Sequence, residues 1–142
     1  MAEADPRPTL LLVGAGHAHL HLVDRAAELA PHYDVVLVAP RWFHYSGTAS
    51  AVATGDLSAS AGRVDVAALA SRRGVRHVVG RVTDLDAAAR TARCDDGSAL
   101  AFDVVSLNVG SVVPALVEVR AQRATRPPDA VVPVKPLTGL AA

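Results

Sequence analysis

The most constraining feature of this sequence is a glycine turn set between an apolar run and a helical pattern. Thr9-Leu10-Leu11-Leu12-Val13 is continuously apolar, Gly14-Ala15-Gly16 follows at once, and after it Leu20, Val23, Ala27 and Ala30 recur at helical spacing. A short unbroken run with glycines after it fits a strand covered on both faces. The spacing beyond fits the buried stripe of a helix, with Asp24, Arg25 and Glu28 outside. Pro31 ends that helix, and Asp34-Val35-Val36-Leu37-Val38-Ala39 reads as a second buried strand closed by Pro40. Strand, glycine turn, helix and strand within about 30 residues make a βαβ unit with a right-handed crossover. The chain is therefore expected in the α/β class.

Composition narrows the function classes. The chain has 142 residues, with Lys+Arg 14 against Asp+Glu 14 and a formal net charge of zero. That length suits one domain with its own core. A neutral balance argues against a nucleic-acid surface, which needs clustered excess cations. Cys94 is the single cysteine, which excludes an intramolecular disulfide framework and a CxxC metal or redox motif. No apolar run reaches the roughly 20 residues of a membrane helix. The opening Met1-Ala2-Glu3-Ala4-Asp5-Pro6 is acidic and proline-broken, unlike a secretory signal. These features lead us to expect a soluble, cytoplasmic protein. Lys135 is the one lysine among the basic residues.

Further along, Trp42-Phe43-His44-Tyr45 gathers ring side chains, and Thr48 to Thr54 is small and weakly helical. Asp65 is placed to cap a short helix over Val66 to Arg73, which Gly74 terminates. Val75 to Val79 reads as a third strand. Arg81 to Asp86, Thr91 to Cys94 and Ala99 to Phe102 are short segments, with Asp95-Asp96-Gly97 as a hairpin turn. They predict a small antiparallel meander. Asp103 to Val109 returns to a buried strand and stops at Gly110-Ser111.

A glycine turn at that place has a physical use. Gly14 permits the tight turn, and Gly16 offers no side chain to hold a diphosphate off the helix N-terminus. The amides of the first helical turn, with the helix dipole, attract the negative charge. A dinucleotide site follows from the turn in this strand–helix–strand context. Two positions depart from the usual fingerprint. His19 stands where a third small residue is normal, and the second strand ends in Ala39-Pro40-Arg41 rather than in a carboxylate that would bind a ribose hydroxyl. Adenosine recognition is then left to backbone groups or to Arg41.

Val13-Gly14-Ala15-Gly16-His17-Ala18-His19-Leu20 resembles the start of the FAD domain in the pyridine nucleotide-disulfide oxidoreductase-like flavoproteins. The branch it looks like holds the NADH dehydrogenase-like and sulfide:quinone reductase-like enzymes, also found fused to selenide, water dikinase. Pro40 to Gly47, Gly55-Asp56-Leu57-Ser58, Gly80-Arg81-Val82, the Asp95-Asp96-Gly97 hairpin and Val134-Lys135-Pro136 keep the family's order. Phe102 to Ser111 is similar to the stretch the family writes YDxLVIATGS. The resemblance implies a Rossmann-like FAD-binding domain, a parallel sheet plus a small antiparallel meander, incomplete in this chain. It implies that Gly14, Ala15, Gly16 and the helix they open hold the FAD diphosphate, with His17 and Ala18 beside it. Ala39, Pro40 and Arg41 would lie by the adenosine ribose and the Val82 backbone by the adenine edge. Asn108, Val109, Gly110 and Ser111 would pass near the flavin side of the diphosphate, and Tyr45, Ser46 and Gly47 near the flavin. Lys135 is a candidate flavin or substrate contact, or a solvated side chain.

The implied reaction is hydride transfer from NAD(P)H to flavin, then electron delivery to an acceptor such as a quinone. Cys94 has no partner thiol, so the family's dithiol chemistry is not expected. The implied layout is a disordered start over residues 1–8, the FAD-binding domain over 9–113, a linker over 114–130 and, over 131–142, the start of a NAD(P)H-binding domain. A chain so laid out is expected to be inactive alone, and to pair with another copy or with a missing downstream domain. His17 and His21, four apart on the helix, lack further ligands, so no metal site is expected; His17 is placed near the diphosphate and His19 and His21 on the helix surface. The alternative function is a stand-alone nucleotide-binding or partner-binding module without redox activity.

Overall fold

The computed structural model describes residues 6–111. Its elements are β1 (Thr9–Val13), α1 (His17–Asp24), α2 (Ala26–Leu29), β2 (Asp34–Ala39), β3 (Trp42–His44), α3 (Ala49–Ala53), β4 (Arg63–Asp65), α4 (Val66–Arg72), β5 (Arg76–Val79), β6 (Val82–Asp86), β7 (Thr91–Cys94), β8 (Ala99–Ala101) and β9 (Val104–Leu107). Two compact units divide them. Among the described residues, the first takes in 6–43 and again Asp65–Val109; the second takes in His44–Val64 with Gly110 and Ser111. The expected linker over 114–130, the segment over 131–142 and Lys135 lie outside the described residues.

The first unit is built on a parallel sheet of order β5-β2-β1-β9. β1 runs in register with β2 from Thr9↔Asp34 to Val13↔Val38, and with β9 from Leu10↔Val104 to Val13↔Leu107. Alternation along the strands sends side chains to two cores. Leu10 and Leu12 of β1, with Leu37 and Ala39 of β2, pack against Val23, Ala26, Val66 and Ala70 from the helices. Leu11 and Val13, with Val36 and Val38, pack instead against Ala92, Cys94 and Phe102. The antiparallel sheet β6-β7-β8 thus covers one face and the helices the other, which is why both strands read as continuously apolar. Cys94 is buried within that second core.

Most expected elements stand where the residues placed them. Asp65 caps α4, accepting from the Ala68 N–H at 3.1 Å, and Gly74 follows the helix at φ +69°. The hairpin turn between β7 and β8 puts Gly97 at φ +84°. Two readings need correction. The helix after the glycine turn is broken at Arg25 into α1 and α2. Its buried stripe is His19, Val23 and Ala26, one residue out of phase with the expected Leu20 and Ala27, and Ala27 and Ala30 are exposed. Strands β3 and β4 were also not expected; they form a two-stranded sheet.

Among its described residues, the second unit holds a 3-10 turn, Ser46–Thr48, leading into α3. The Tyr45 N–H donates to the Gly62 carbonyl at 2.9 Å, and Thr48 Oγ1 donates to the Tyr45 carbonyl at 2.9 Å. A Cβ on Gly62 would run into Thr48.

Candidate functional site

β1 ends at Val13, and Gly14 turns the chain at φ +87°, a left-handed value that a side chain makes costly. Its N–H donates to the Val38 carbonyl at 2.8 Å, so the turn is pinned to β2 as it leaves the sheet. A Cβ on Gly14 would run into the backbone of Asn108 and Val109. Gly16 is equally close to that segment: its N–H donates to the Asn108 carbonyl at 3.3 Å, and a Cβ on it would strike the Asn108 side-chain amide. The two glycines therefore do a structural task as well, letting the β9 exit close against the turn. In the sheet, β2 and then β5 lie on one side of β1 and β9 on the other. The β1–β9 boundary is thus a switch point, where ligands of open α/β sheets bind beyond the carboxyl ends of the strands.

α1 opens from this turn with Gly16 as its N-cap. No side chain caps it, and no acidic residue stands in its first turn. His17 and Ala18 are exposed there, and the His17 ring meets Phe43 edge-on at 5.0 Å. First-turn amides have no acceptor within their own helix, so this end of α1 presents donors and positive potential toward an anion.

His19 overturns its expected place on the helix surface. It is 1% exposed, with Nδ1 donating to the Gly14 carbonyl at 2.7 Å and Nε2 2.9 Å from Ser106 Oγ on β9. The fingerprint's third small residue faces the sheet so that helix and strand pack closely; the histidine at that position is carried inward with it. A helical spacing of 19, 23 and 26 was the signal that could have shown this.

At the end of β2, Ala39 is buried and its carbonyl accepts from the Gly80 N–H at 3.3 Å and from His77 Nε2 at 2.9 Å. Pro40 and Arg41 are exposed. Arg41 is already engaged: Nη2 donates to Asp65 Oδ2 at 2.9 Å, and the guanidinium lies 4.9 Å from the Trp42 ring centre. Arg41 therefore meets any ribose as part of an ion pair. Asp65 is held below the usual aspartate range, first by the hydrogen bond from Arg41 and then by the Ala68 N–H. Arg41 is correspondingly raised by Asp65. These donors favour the carboxylate, so the stabilisation is full above the range where an unfolded aspartate titrates and is lost as pH falls through the lowered folded value. Asp65→Ala is expected to unfold at a lower temperature than the parent at neutral pH. The gap should narrow as pH falls below the range where an unfolded aspartate titrates and the Asp65 carboxylate takes up its proton. Thermal unfolding followed by circular dichroism across pH checks this, and a gap independent of pH would refute it.

Of the residues proposed from the sequence, the first unit brings together Gly14, Ala15, Gly16, His17, Ala18, Asn108 and Val109, with Ala39, Pro40 and Arg41 at the exit of the adjacent strand. Val82 begins β6 in the meander, paired with Cys94. Ser46, Gly47, Gly110 and Ser111 belong to the second unit; Ser46 and Gly47 are exposed, and a Cβ on Gly47 would meet the Tyr45 ring. Among the described residues no three His, Cys, Asp or Glu side chains gather as a metal site. Among them, too, no helix is long and apolar enough to cross a membrane.

A parallel sheet with helices on one face, a meander on the other and a glycine turn at the switch point defines a Rossmann-like fold. No protein-family model and no curated protein matches the sequence. Solved structures do share the fold. The sulfide:quinone oxidoreductase of the hyperthermophilic bacterium Aquifex aeolicus aligns with a TM-score of 0.69 at 16% identity, over 75% of this chain and 25% of that one. Putidaredoxin reductase, in its covalent complex with putidaredoxin, gives 0.60 at 18% identity over 78% and 28%. The NADH:rubredoxin oxidoreductase of Clostridium acetobutylicum gives 0.58 at 13% identity over 75% and 29%. This chain thus has the fold that its resemblance to the pyridine nucleotide-disulfide oxidoreductase-like flavoproteins implied, and it spans about a quarter of the length of these structures.

Proposed function

We propose that this chain is the N-terminal FAD-binding portion of an FAD-dependent NAD(P)H oxidoreductase, NADH dehydrogenase-like, with an acceptor such as a quinone. The observation that carries the reading is the turn of Gly14 and Gly16 at the β1–β9 switch point, opening directly into an uncapped helix. The fit to a pyrophosphate is good on this chain's own features: a helix start free of acidic side chains, two positions without Cβ, and an exit strand packed beside them. A bound flavin would supply acceptance of a hydride from NAD(P)H and onward electron transfer.

The residues present divide that work. The amides opening α1 hold the diphosphate, and Asn108 and Val109 wall the flavin side of it. Ala39, Pro40 and the Arg41–Asp65 pair border the ribose, and the Val82 backbone the adenine edge. Cys94, enclosed in the meander core, takes no part.

The purified chain is expected to bind FAD weakly, with ADP competing for the same site, and to leave NADH unoxidised in steady state. Flavin fluorescence titration and an NADH absorbance assay measure both. Failure of FAD and ADP to bind at millimolar concentration would remove the nucleotide reading, and sustained NADH oxidation by the chain would remove the partial-enzyme reading.

A further inference from the structure

Beneath the glycine turn lies a buried polar group that nucleotide binding by the turn does not itself require. We propose that His19 is the positioning residue of the turn: its ring ties the Gly14 carbonyl to Ser106 of β9 and thereby sets the direction of the Ala15 amide. The functional side of this rests on the nucleotide reading above; the structural side does not.

The argument starts from donors and acceptors. A carbonyl only accepts, so the 2.7 Å contact requires that Nδ1 carry the proton. In the neutral ring Nε2 is then an acceptor, and Ser106 Oγ–H donates to it across 2.9 Å. The ring is 1% exposed with both nitrogens engaged, which is how a histidine is tolerated where a small residue is usual. Two turns of chain hang on it. Gly14 stands at φ +87°, and glycine lets a peptide plane swing between orientations at little cost. Its N–H is anchored to the Val38 carbonyl at 2.8 Å, and its carbonyl is anchored to His19. In a trans peptide the C=O and the following N–H point in opposite directions. Drawing the Gly14 oxygen inward to His19 therefore turns the Ala15 N–H outward, away from the buried ring. Ser106, four residues from Gly110 and two from Asn108, extends the same tie to the strand whose exit closes against Gly14 and Gly16.

Asparagine and glutamine separate the two bonds. The side-chain N–H of asparagine stands where Nδ1 stands, whereas glutamine reaches as far as Nε2. In His19→Asn the Gly14 bond is kept; in His19→Gln it is lost and the reach to Ser106 is kept. Amide hydrogen exchange in the full chain, without ligand, reads the turn itself. His19→Gln should exchange at Gly14 and Gly16 about tenfold faster than the parent, the scale of one lost hydrogen bond, with Leu11 and Leu12 unchanged. His19→Asn should stay within about threefold. ADP affinity should follow the same order, falling about tenfold in His19→Gln. Ring nitrogen shifts of the parent should show His19 protonated at Nδ1, an observation that needs no variant to fold. An Nε2-protonated ring, or equal exchange in the two variants, overturns the proposal. If the parent binds no ADP, the nucleotide reading falls while exchange and tautomer still decide the role of His19.

Discussion

Gly16→Ala is expected to destabilise the chain, and the added change Asn108→Ala to recover most of that loss. Alanine suits the backbone at this position, which has φ −64°. The obstacle is the Asn108 side-chain amide, which a Cβ on Gly16 would strike. Overpacking of that kind costs about 1–3 kcal/mol, and truncating Asn108 clears the space. The double-mutant cycle should show a coupling of about 1–2 kcal/mol. Gly14→Ala should behave differently. Its Cβ would meet the Asn108 and Val109 backbone, and its φ of +87° penalises any side chain. Loss there should be about 3 kcal/mol or more, with no recovery in the Asn108→Ala background. Urea unfolding of the five variants and the parent measures all these terms. Strict additivity at Gly16, or recovery at Gly14, would show that the turn does not rest on the β9 exit as described.

The second large effect is expected in the sheet. Leu11→Ala and Leu37→Ala empty fully enclosed positions on opposite faces, both residues being 0% exposed. Each should cost about 3 kcal/mol, within the range for buried leucine truncation, and lower the unfolding midpoint by on the order of 15 °C. Val79→Ala, at a residue 62% exposed, should change stability by less than about 0.5 kcal/mol. Calorimetry separates these outcomes. If Leu11→Ala proved as mild as Val79→Ala, the meander would not be packed on the sheet.

How far the residues alone reveal this molecule depends on the strength of the local signal. β1 and β2 were legible because strands buried on both faces contain little but apolar residues, and Gly14, Pro31 and Pro40 mark their limits. The hairpin was legible through Gly97, where the backbone needs a positive φ. The phase of α1 was not. Ala26, Ala27 and Ala30 are interchangeable in hydrophobicity, so they set no face, and the one residue that would have set it, His19, is polar. β4 escaped because three residues, Arg63-Val64-Asp65, carry no period. At the site, the resemblance set both the glycines and the Asn108 segment beside a diphosphate; that the segment packs directly against the turn is visible only in the structure. The engagement of Arg41 by Asp65 was not readable, since it joins residues 24 apart whose approach depends on the tertiary fold.

The placement of β9 beside β1 has a consequence during synthesis. The Thr9 N–H donates to the Asp103 carboxylate at 2.8 Å, a bond spanning 94 residues. On the ribosome, the first strand can pair with the second early, but its other edge stays bare until the ninth emerges. At roughly 5–20 residues per second the wait is on the order of five to twenty seconds. Throughout it, Leu11 and Val13 have no neighbour on that side, and a nascent chain in this condition is a natural client for a chaperone.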